Sequence, residues 1–83
     1  MSEAVEWVIH CTVLLAALPP DTALSGKVLA EYHGVSESYL LKNLKLLAAA
    51  GLLESIPGPK GGYRLGRPAS EITLLDIVNA VEG

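Results

Sequence analysis

Apolar residues recur at helical spacing in four stretches of the chain, and two short runs typical of β-strands lie between the third stretch and the fourth. This pattern predicts a mainly α fold with one small β-hairpin. The predicted helices cover residues 3–18, 26–33 and 36–50 and a C-terminal segment that starts after Thr73, and the predicted strands cover residues 52–56 and 63–65.

The first predicted helix is apolar on nearly all sides and is ended by two prolines, which cannot continue a helix. A helix of this kind usually packs on more than one side. One face would contact the rest of this small domain, so we expect the other to contact a dimer partner or a further C-terminal segment. Its apolar residues include Trp7, Val8, Ile9, Cys11, Val13, Leu14 and Leu15.

The second and third predicted helices have the spacing of a helix-turn-helix. Ser25 and Ser36 stand where these helices start, and a serine hydroxyl at that position accepts hydrogen bonds from the free N–H groups of the first turn. Gly34 allows the tight turn between the two helices. For the second helix, the apolar positions predict an inner face made of Val28, Leu29 and Tyr32.

The third predicted helix has an apolar stripe on one side, made of Leu40, Leu44 and Leu47. Hydroxyls and a cation near the free amides of its N-terminus suit contacts with phosphates and base edges. This predicts a recognition helix over residues 36–50, and the alternative is a solvated helix face that binds nothing. The candidate DNA-binding residues of this helix are Ser36, Ser38, Tyr39 and Lys42.

A loop rich in proline and glycine, residues 57–63, joins the two predicted strands directly after this helix. Its paired glycines permit positive φ angles and a close approach of the backbone. A helix followed by such a hairpin is typical of a winged helix-turn-helix, a fold that reads DNA. The candidate DNA-binding residues of the hairpin are Gly58, Lys60, Gly61 and Arg64.

The chain carries a net charge of −3, which by itself argues against a nucleic-acid partner. The charge is unevenly distributed, however. Between residues 38 and 68, five basic side chains oppose one carboxylate, that of Glu54. Such local asymmetry, more than the net charge, determines where an anionic partner docks.

The length of 83 residues corresponds to one domain, residues 1–83. The single cysteine excludes an internal disulfide and fits a reducing compartment. No signal peptide and no apolar stretch of about 20 residues is present, so we expect a cytoplasmic protein that does not enter a membrane. The chain has no nucleophile–base pair, phosphate loop or paired carboxylates, so we expect no enzymatic activity.

Glu6 and His10 interrupt the apolar first helix four residues apart and therefore lie on one of its faces. One interpretation is a helical side-chain pair at a solvated edge. The other is a pair of metal or cluster ligands, because imidazole and carboxylate at this spacing can reach one ion. Cys11 lies about 100° further round the helix, and we interpret it as a small buried hydrophobe rather than a ligand.

Three motifs, S-x-S-Y-L from Ser36, A-G-L from Ala50 and G-G-Y-x-L from Gly61, resemble the DNA-binding half of the Rrf-type bacterial transcription regulators. The resemblance extends over essentially the whole chain. It implies a homodimeric regulator, usually a repressor, that binds a pseudo-palindromic site in double-stranded DNA. It also implies that the recognition helix enters the major groove and the wing touches the minor groove.

The chain departs from this family in two places. Many members carry arginine before the first glycine of the wing, where this chain has Pro57, and Lys60 would supply a charge nearby. Many members also continue past the final V-E-G with a long dimerisation helix and a cysteine cluster that binds iron–sulfur. Neither is present in these 83 residues, so the family's cysteine ligands have no equivalent in them.

The segment Glu6-Trp7-x-x-His10 resembles a variant of the family in which the first helix supplies non-cysteine ligands to a 2Fe–2S cluster. Cysteines from the partner subunit's C-terminal region would complete that site, so a cluster would exist only in the intact dimer. A different function also remains open. The acidic net charge and the apolar first helix are compatible with a winged-helix protein–protein interaction module that does not bind DNA.

Overall fold

The computed structural model describes residues 3–83, which form four helices and one antiparallel hairpin. The prediction of a mainly α fold with a small hairpin is thus confirmed, and a short 3-10 turn is added to the connector after the hairpin. The elements are α1 (Glu3–Ala17), α2 (Gly26–His33), α3 (Glu37–Ala49), β1 (Leu53–Ile56), β2 (Gly62–Leu65), the 3-10 turn (Ala69–Glu71) and α4 (Leu74–Glu82).

The helices begin and end at the residues that the local signals predict. Ser25 and Ser36 cap α2 and α3 by accepting hydrogen bonds from backbone N–H groups three residues later, at 3.1 and 3.3 Å. Gly34 ends α2 with a φ of 68°, a conformation that glycine adopts easily. Thr73 and Asp76 form a capping box at the start of α4.

The hydrophobic core lies among the helices and the inner side of the hairpin. The apolar stripe of α3 is completely buried, as predicted. Burial of one leucine side chain contributes about 1.5–3 kcal/mol, so this stripe is the main anchor of α3. The largest fully buried side chains are Val5, Val8, Cys11, Leu29, Leu40, Leu44 and Leu47.

The predicted inner face of α2 is wrong for two of its three residues. Leu29 is buried, whereas Val28 and Tyr32 are 47% and 69% exposed. The reason is the close approach of α2 to α3 at Gly26, where a Cβ atom would lie 2.9 Å from Cδ1 of Leu41. The buried face of α2 is therefore the one that contains Gly26, Leu29 and Ala30, and Val28 and Tyr32 are turned outward.

The hairpin is attached to the segment that precedes α2. Leu24 and Tyr63 exchange two backbone hydrogen bonds, of 3.0 and 2.8 Å, in an isolated antiparallel bridge. A Cβ atom at Gly62 would overlap the backbone of Leu24, and the φ of Gly62 is 141°, so this approach requires glycine. The wing therefore has a direct backbone connection to the helix-turn-helix.

The helix α1 has a second apolar face, as predicted. Val13 is 63% exposed and borders a groove of about 230 Å³ between α1 and α4, to which Ile9, Leu74 and Ile77 also contribute. The expectation that a further segment covers this face stays a prediction. Among residues 3–83, no helix is both long enough and apolar enough to cross a membrane.

Candidate nucleic-acid interface

The N-terminal part of α3 presents its predicted DNA-binding residues at the surface. Ser36, Ser38, Tyr39 and Lys42 are all exposed. The hydroxyl of Ser36 already accepts a hydrogen bond from the N–H of Tyr39, and the Oγ atoms of Ser36 and Ser38 lie 3.0 Å apart. Tyr39 and Lys42 therefore have the side chains that are freest to contact a ligand, and the Ser38 hydroxyl is exposed while bonded to Ser36.

A buried asparagine that sequence reasoning missed supports this surface from below. Asn43 is only 6% exposed, and its Nδ2 donates a 3.0 Å hydrogen bond to the carbonyl oxygen of Tyr39. Asn43 comes three residues after Leu40 and four before Leu47, so helical spacing alone would have placed it on the buried stripe. The side chain fixes the backbone of α3 where Tyr39 is exposed.

The tip of the hairpin depends on two of the predicted glycines. Gly58 has a φ of 96°, and a Cβ atom at Gly61 would overlap the carbonyl oxygen of Ile56. The N–H of Gly61 donates to the carbonyl oxygen of Gly58 at 3.0 Å, which closes the turn. Lys60 lies exposed between these glycines. The tip thus exposes the ammonium group of Lys60 on a tightly folded backbone.

The two arginines of the basic segment are bound within the protein. Arg64 donates from Nε to Oε1 of Glu54 at 2.7 Å, and its guanidinium is also 3.4 Å from Oδ1 of Asp21. Arg67 donates to the carbonyl oxygen of Ala50 at 3.5 Å, beside the C-terminus of α3. A cation in that position interacts favourably with the helix dipole.

The lysines differ from the arginines in this respect. In residues 3–83, no salt bridge involves Lys42, Lys45 or Lys60, and all three are exposed. Two of them lie on α3 and one at the tip of the wing. Most of the positive charge available to an anionic partner is therefore carried by lysines on the recognition helix and the wing, and Lys27 on α2 adds one more exposed cation.

A second cluster, away from the hairpin, joins α1 to the end of α2. Nε2 of His10 lies 3.9 Å from Oε1 of Glu6, and the rings of Trp7, His10 and His33 have centroids 5.7 to 6.0 Å apart. Nε2 of His33 is buried and has no hydrogen-bond partner among residues 3–83. Burial, and then the nearby His10, lower the pKa of His33.

This cluster partly fits the ligand interpretation of Glu6 and His10. Both side chains are exposed and lie on one helix face, as their spacing predicts. Within residues 3–83, however, no three or more His, Cys, Asp or Glu side chains are grouped so as to hold a metal ion. Cys11 is fully buried, as expected of a small hydrophobe, and burial raises the pKa of its thiol to about 11.

Comparison with known proteins gives consistent matches over the whole chain. Residues 1–83 match the Rrf2 family, described as iron-dependent transcriptional regulators. YwgB of Bacillus subtilis (strain 168), which carries the name of an HTH-type transcriptional regulator, is 41% identical over 83 residues, which is 100% of this chain and 53% of YwgB. The chain thus spans about half the length of that relative.

Solved structures of two named regulators share the fold. The structure of CymR (YrzC), the global cysteine regulator of B. subtilis, has a TM-score of 0.92 and 34% identity and is matched over 100% of this chain and 64% of its own. T. potens IscR has a TM-score of 0.88 and 34% identity, over 100% of this chain and 61% of its own.

These matches confirm both the predicted fold and the predicted resemblance. The family profile covers the full chain, and relatives more than 30% identical match every element from α1 to α4. The helix-turn-helix comes first in the chain and the wing follows it, as the sequence motifs predict. Both α3 and the wing carry exposed lysines. The chain belongs to the Rrf2 family of transcriptional regulators.

Proposed function

We propose that the protein is a DNA-binding transcription regulator that represses genes as a homodimer on a pseudo-palindromic operator. In this proposal α3 enters the major groove and the wing, residues 57–63, touches the minor groove. The observation that carries it is the placement, on α3 and the wing tip, of three exposed lysines that form no ion pair within residues 3–83. A regulator of this kind works in the cytoplasm, where bacterial DNA lies.

The chemistry of the two elements supports different parts of the proposal. Lys42 and Lys45 on α3 and Lys60 on the wing would neutralise phosphates, and contacts to phosphate position a protein without reading sequence. Ser38 and Tyr39 carry hydroxyls at the exposed start of α3, where side chains of a helix-turn-helix reach base edges. Sequence discrimination would therefore come mainly from these two hydroxyls.

The experiment that tests this docking face measures the salt dependence of DNA affinity in lysine variants of the intact protein. We expect Lys42→Ala and Lys60→Ala to weaken binding to all duplexes. Each should also lower the slope of log affinity against log salt by about 0.9, the value for one lost phosphate contact. The matched control is Lys60→Arg, which keeps the charge and should keep the slope. Unchanged affinity and slope in both alanine variants would exclude this face.

The second candidate function is a protein–protein interaction module without DNA binding. The observation that favours it is the exposed apolar surface formed by Val13, Leu74 and Leu75, which are 54% to 65% exposed. Capture of a protein partner at this surface, together with no affinity for any duplex at low salt, would support it. In a dimeric regulator the same surface is available for subunit contacts, so the surface alone does not exclude the first proposal.

We propose further that Glu6 and His10 supply half of the ligands of a 2Fe–2S cluster, with cysteines outside residues 3–83 supplying the rest. The carboxylate and the imidazole lie close enough to bind one iron atom together. Such a cluster would supply a redox-sensitive group to the regulator. The two side chains would hold it at the exposed face of α1, next to the ring of Trp7.

The visible absorption spectrum of the anaerobically purified, full-length protein tests this ligand assignment. We expect cluster absorption in the parent and its loss or shift in Glu6→Ala and His10→Ala. The control is Cys11→Ala, whose buried thiol is not a ligand and whose spectrum should match the parent. Spectra of the Glu6 and His10 variants identical to the parent would contradict the assignment.

A further inference from the structure

One guanidinium connects three segments of the protein. Arg64 lies on β2 directly opposite Glu54 of β1, and its Nε donates to Oε1 of Glu54 at 2.7 Å. NH1 of the same side chain donates to Oδ1 of Asp21 at 3.4 Å. Asp21 belongs to the loop between α1 and α2, so the Arg64 side chain links both strands of the hairpin to that loop.

This arrangement is unfavourable for a contact between Arg64 and DNA phosphate. The trio of Asp21, Glu54 and Arg64 carries two carboxylates and one guanidinium, so as a group it repels an anion. The Arg64 side chain is 32% exposed, whereas those of Asp21 and Glu54 are 85% and 52% exposed. The guanidinium is therefore less accessible to a phosphate than either carboxylate.

The loop that Arg64 holds leads directly into the helix-turn-helix. Asp21 has a φ of 68°, which is uncommon for a residue with a side chain, and the N–H of Thr22 donates to the carbonyl oxygen of Pro19 at 3.2 Å. Three residues after Asp21, Leu24 forms its backbone bridge with Tyr63. The hairpin is thus attached to this segment twice, through the backbone at Tyr63 and through the side chain at Arg64.

We propose that Arg64 is a positioning residue, which sets the orientation of the wing relative to α3 by binding Asp21 and Glu54. The base of the hairpin is held by the backbone bridge at Leu24 and by the buried side chains of Leu53 and Tyr63. The guanidinium adds a further contact, which restrains the angle of the exposed part of the hairpin. Since the wing and α3 must meet adjacent grooves at once, this angle governs how well an operator is distinguished from other DNA. The proposal rests on the proposed function.

The first test measures fluorescence anisotropy of the intact protein, Arg64→Ala and Asp21→Asn on operator and scrambled duplexes over a range of salt concentrations. We expect each variant to lose about two- to fivefold in operator affinity, which corresponds to the strength of an exposed ion pair. The salt slope should stay that of the parent. Lys60→Ala is the comparison variant, because it should lower the slope by about 0.9.

Either of two results would overturn the proposal. A fall of about 0.9 in the salt slope of Arg64→Ala would show that the guanidinium contacts a phosphate. Tighter binding of Asp21→Asn to both duplexes would show that this carboxylate acts only as a negative charge near DNA. A positioning role of Asp21 predicts that Asp21→Asn binds the operator more weakly, whereas a purely electrostatic role predicts that it binds DNA more tightly. The sign of the change in affinity therefore distinguishes the two roles.

A second measurement does not depend on DNA. Residual dipolar couplings of backbone amides in the isotope-labelled protein report the orientation of the wing relative to α3. We expect Arg64→Ala and Asp21→Asn to change the couplings of the wing while those within α3 stay constant. Unchanged couplings would refute the positioning role even in a protein that binds its operator. Changed couplings in a protein that binds no DNA would refute only the proposed function.

Discussion

Individual side chains on α3 divide into those that hold the helix and those that are free to meet a ligand. Leu40, Leu44 and Leu47 are fully buried, and Asn43 is nearly so. The exposed positions between them include Tyr39, whose carbonyl oxygen is held by Asn43. Buried neighbours thus hold the backbone that carries the exposed residues at the start of α3. Because this backbone is already ordered, less conformational entropy is lost when a ligand binds.

Asp76 gives a prediction about acid stability. Its carboxylate accepts a 3.0 Å hydrogen bond from the backbone N–H of Thr73, and this bond, then the Thr73 side chain, holds the pKa of Asp76 below its ordinary value. A carboxyl whose pKa is lowered by folding stabilises the protein above its unfolded pKa, about 3.9 for aspartate. That stabilisation is lost as the pH falls through the folded pKa.

We therefore expect Asp76→Asn to destabilise the protein at neutral pH and to reduce the loss of stability in acid. Urea denaturation of parent and variant between about pH 6 and pH 2 measures both effects. The difference in unfolding free energy should shrink as the pH falls. A difference that stays constant over this range would show that the capping box does not depend on the charge of Asp76.

At the scale of the elements, most of the fold could be predicted because its signals are local. Serine caps, a capping box, two prolines and a glycine turn each act within a few residues, and the helices begin where these signals stand. The apolar stripe of α3 was predicted for the same reason. The wing was predicted from its glycines and its position after α3, and its glycines take the unusual backbone conformations that the pattern implies.

What could not be predicted depends on contacts between elements. The face of α2 was assigned wrongly because burial there is decided by its approach to α3 at Gly26. The ring cluster at His33 joins the end of α2 to the first half of α1, a contact that depends on how these two helices pack. The ion pair of Arg64 with Asp21 spans 43 residues, although its pair with Glu54 follows from the hairpin register and could have been found from the strands alone.

In the whole molecule, five of the six basic residues fall between residues 38 and 68, where Glu54 is the one carboxylate, so a net charge of −3 is compatible with an anionic partner. Of the four exposed lysines that form no ion pair among residues 3–83, three lie on α3 and the wing, and the fourth, Lys27, lies on α2. The candidate half-site at Glu6 and His10 lies on α1, and the apolar groove lies between α1 and α4. DNA contact, signal sensing and subunit contact can therefore use separate surfaces of one domain.

We propose that these surfaces belong to a sequence-specific DNA-binding regulator. The most direct test is fluorescence anisotropy of the full-length protein with a duplex from its own promoter region, titrated from low to moderate salt against scrambled competitor. We expect specific binding that weakens steeply as salt rises, because lysine contacts with phosphate release counterions. No binding even at low salt, from protein shown to be folded and dimeric, would contradict the claim and favour the protein-interaction module.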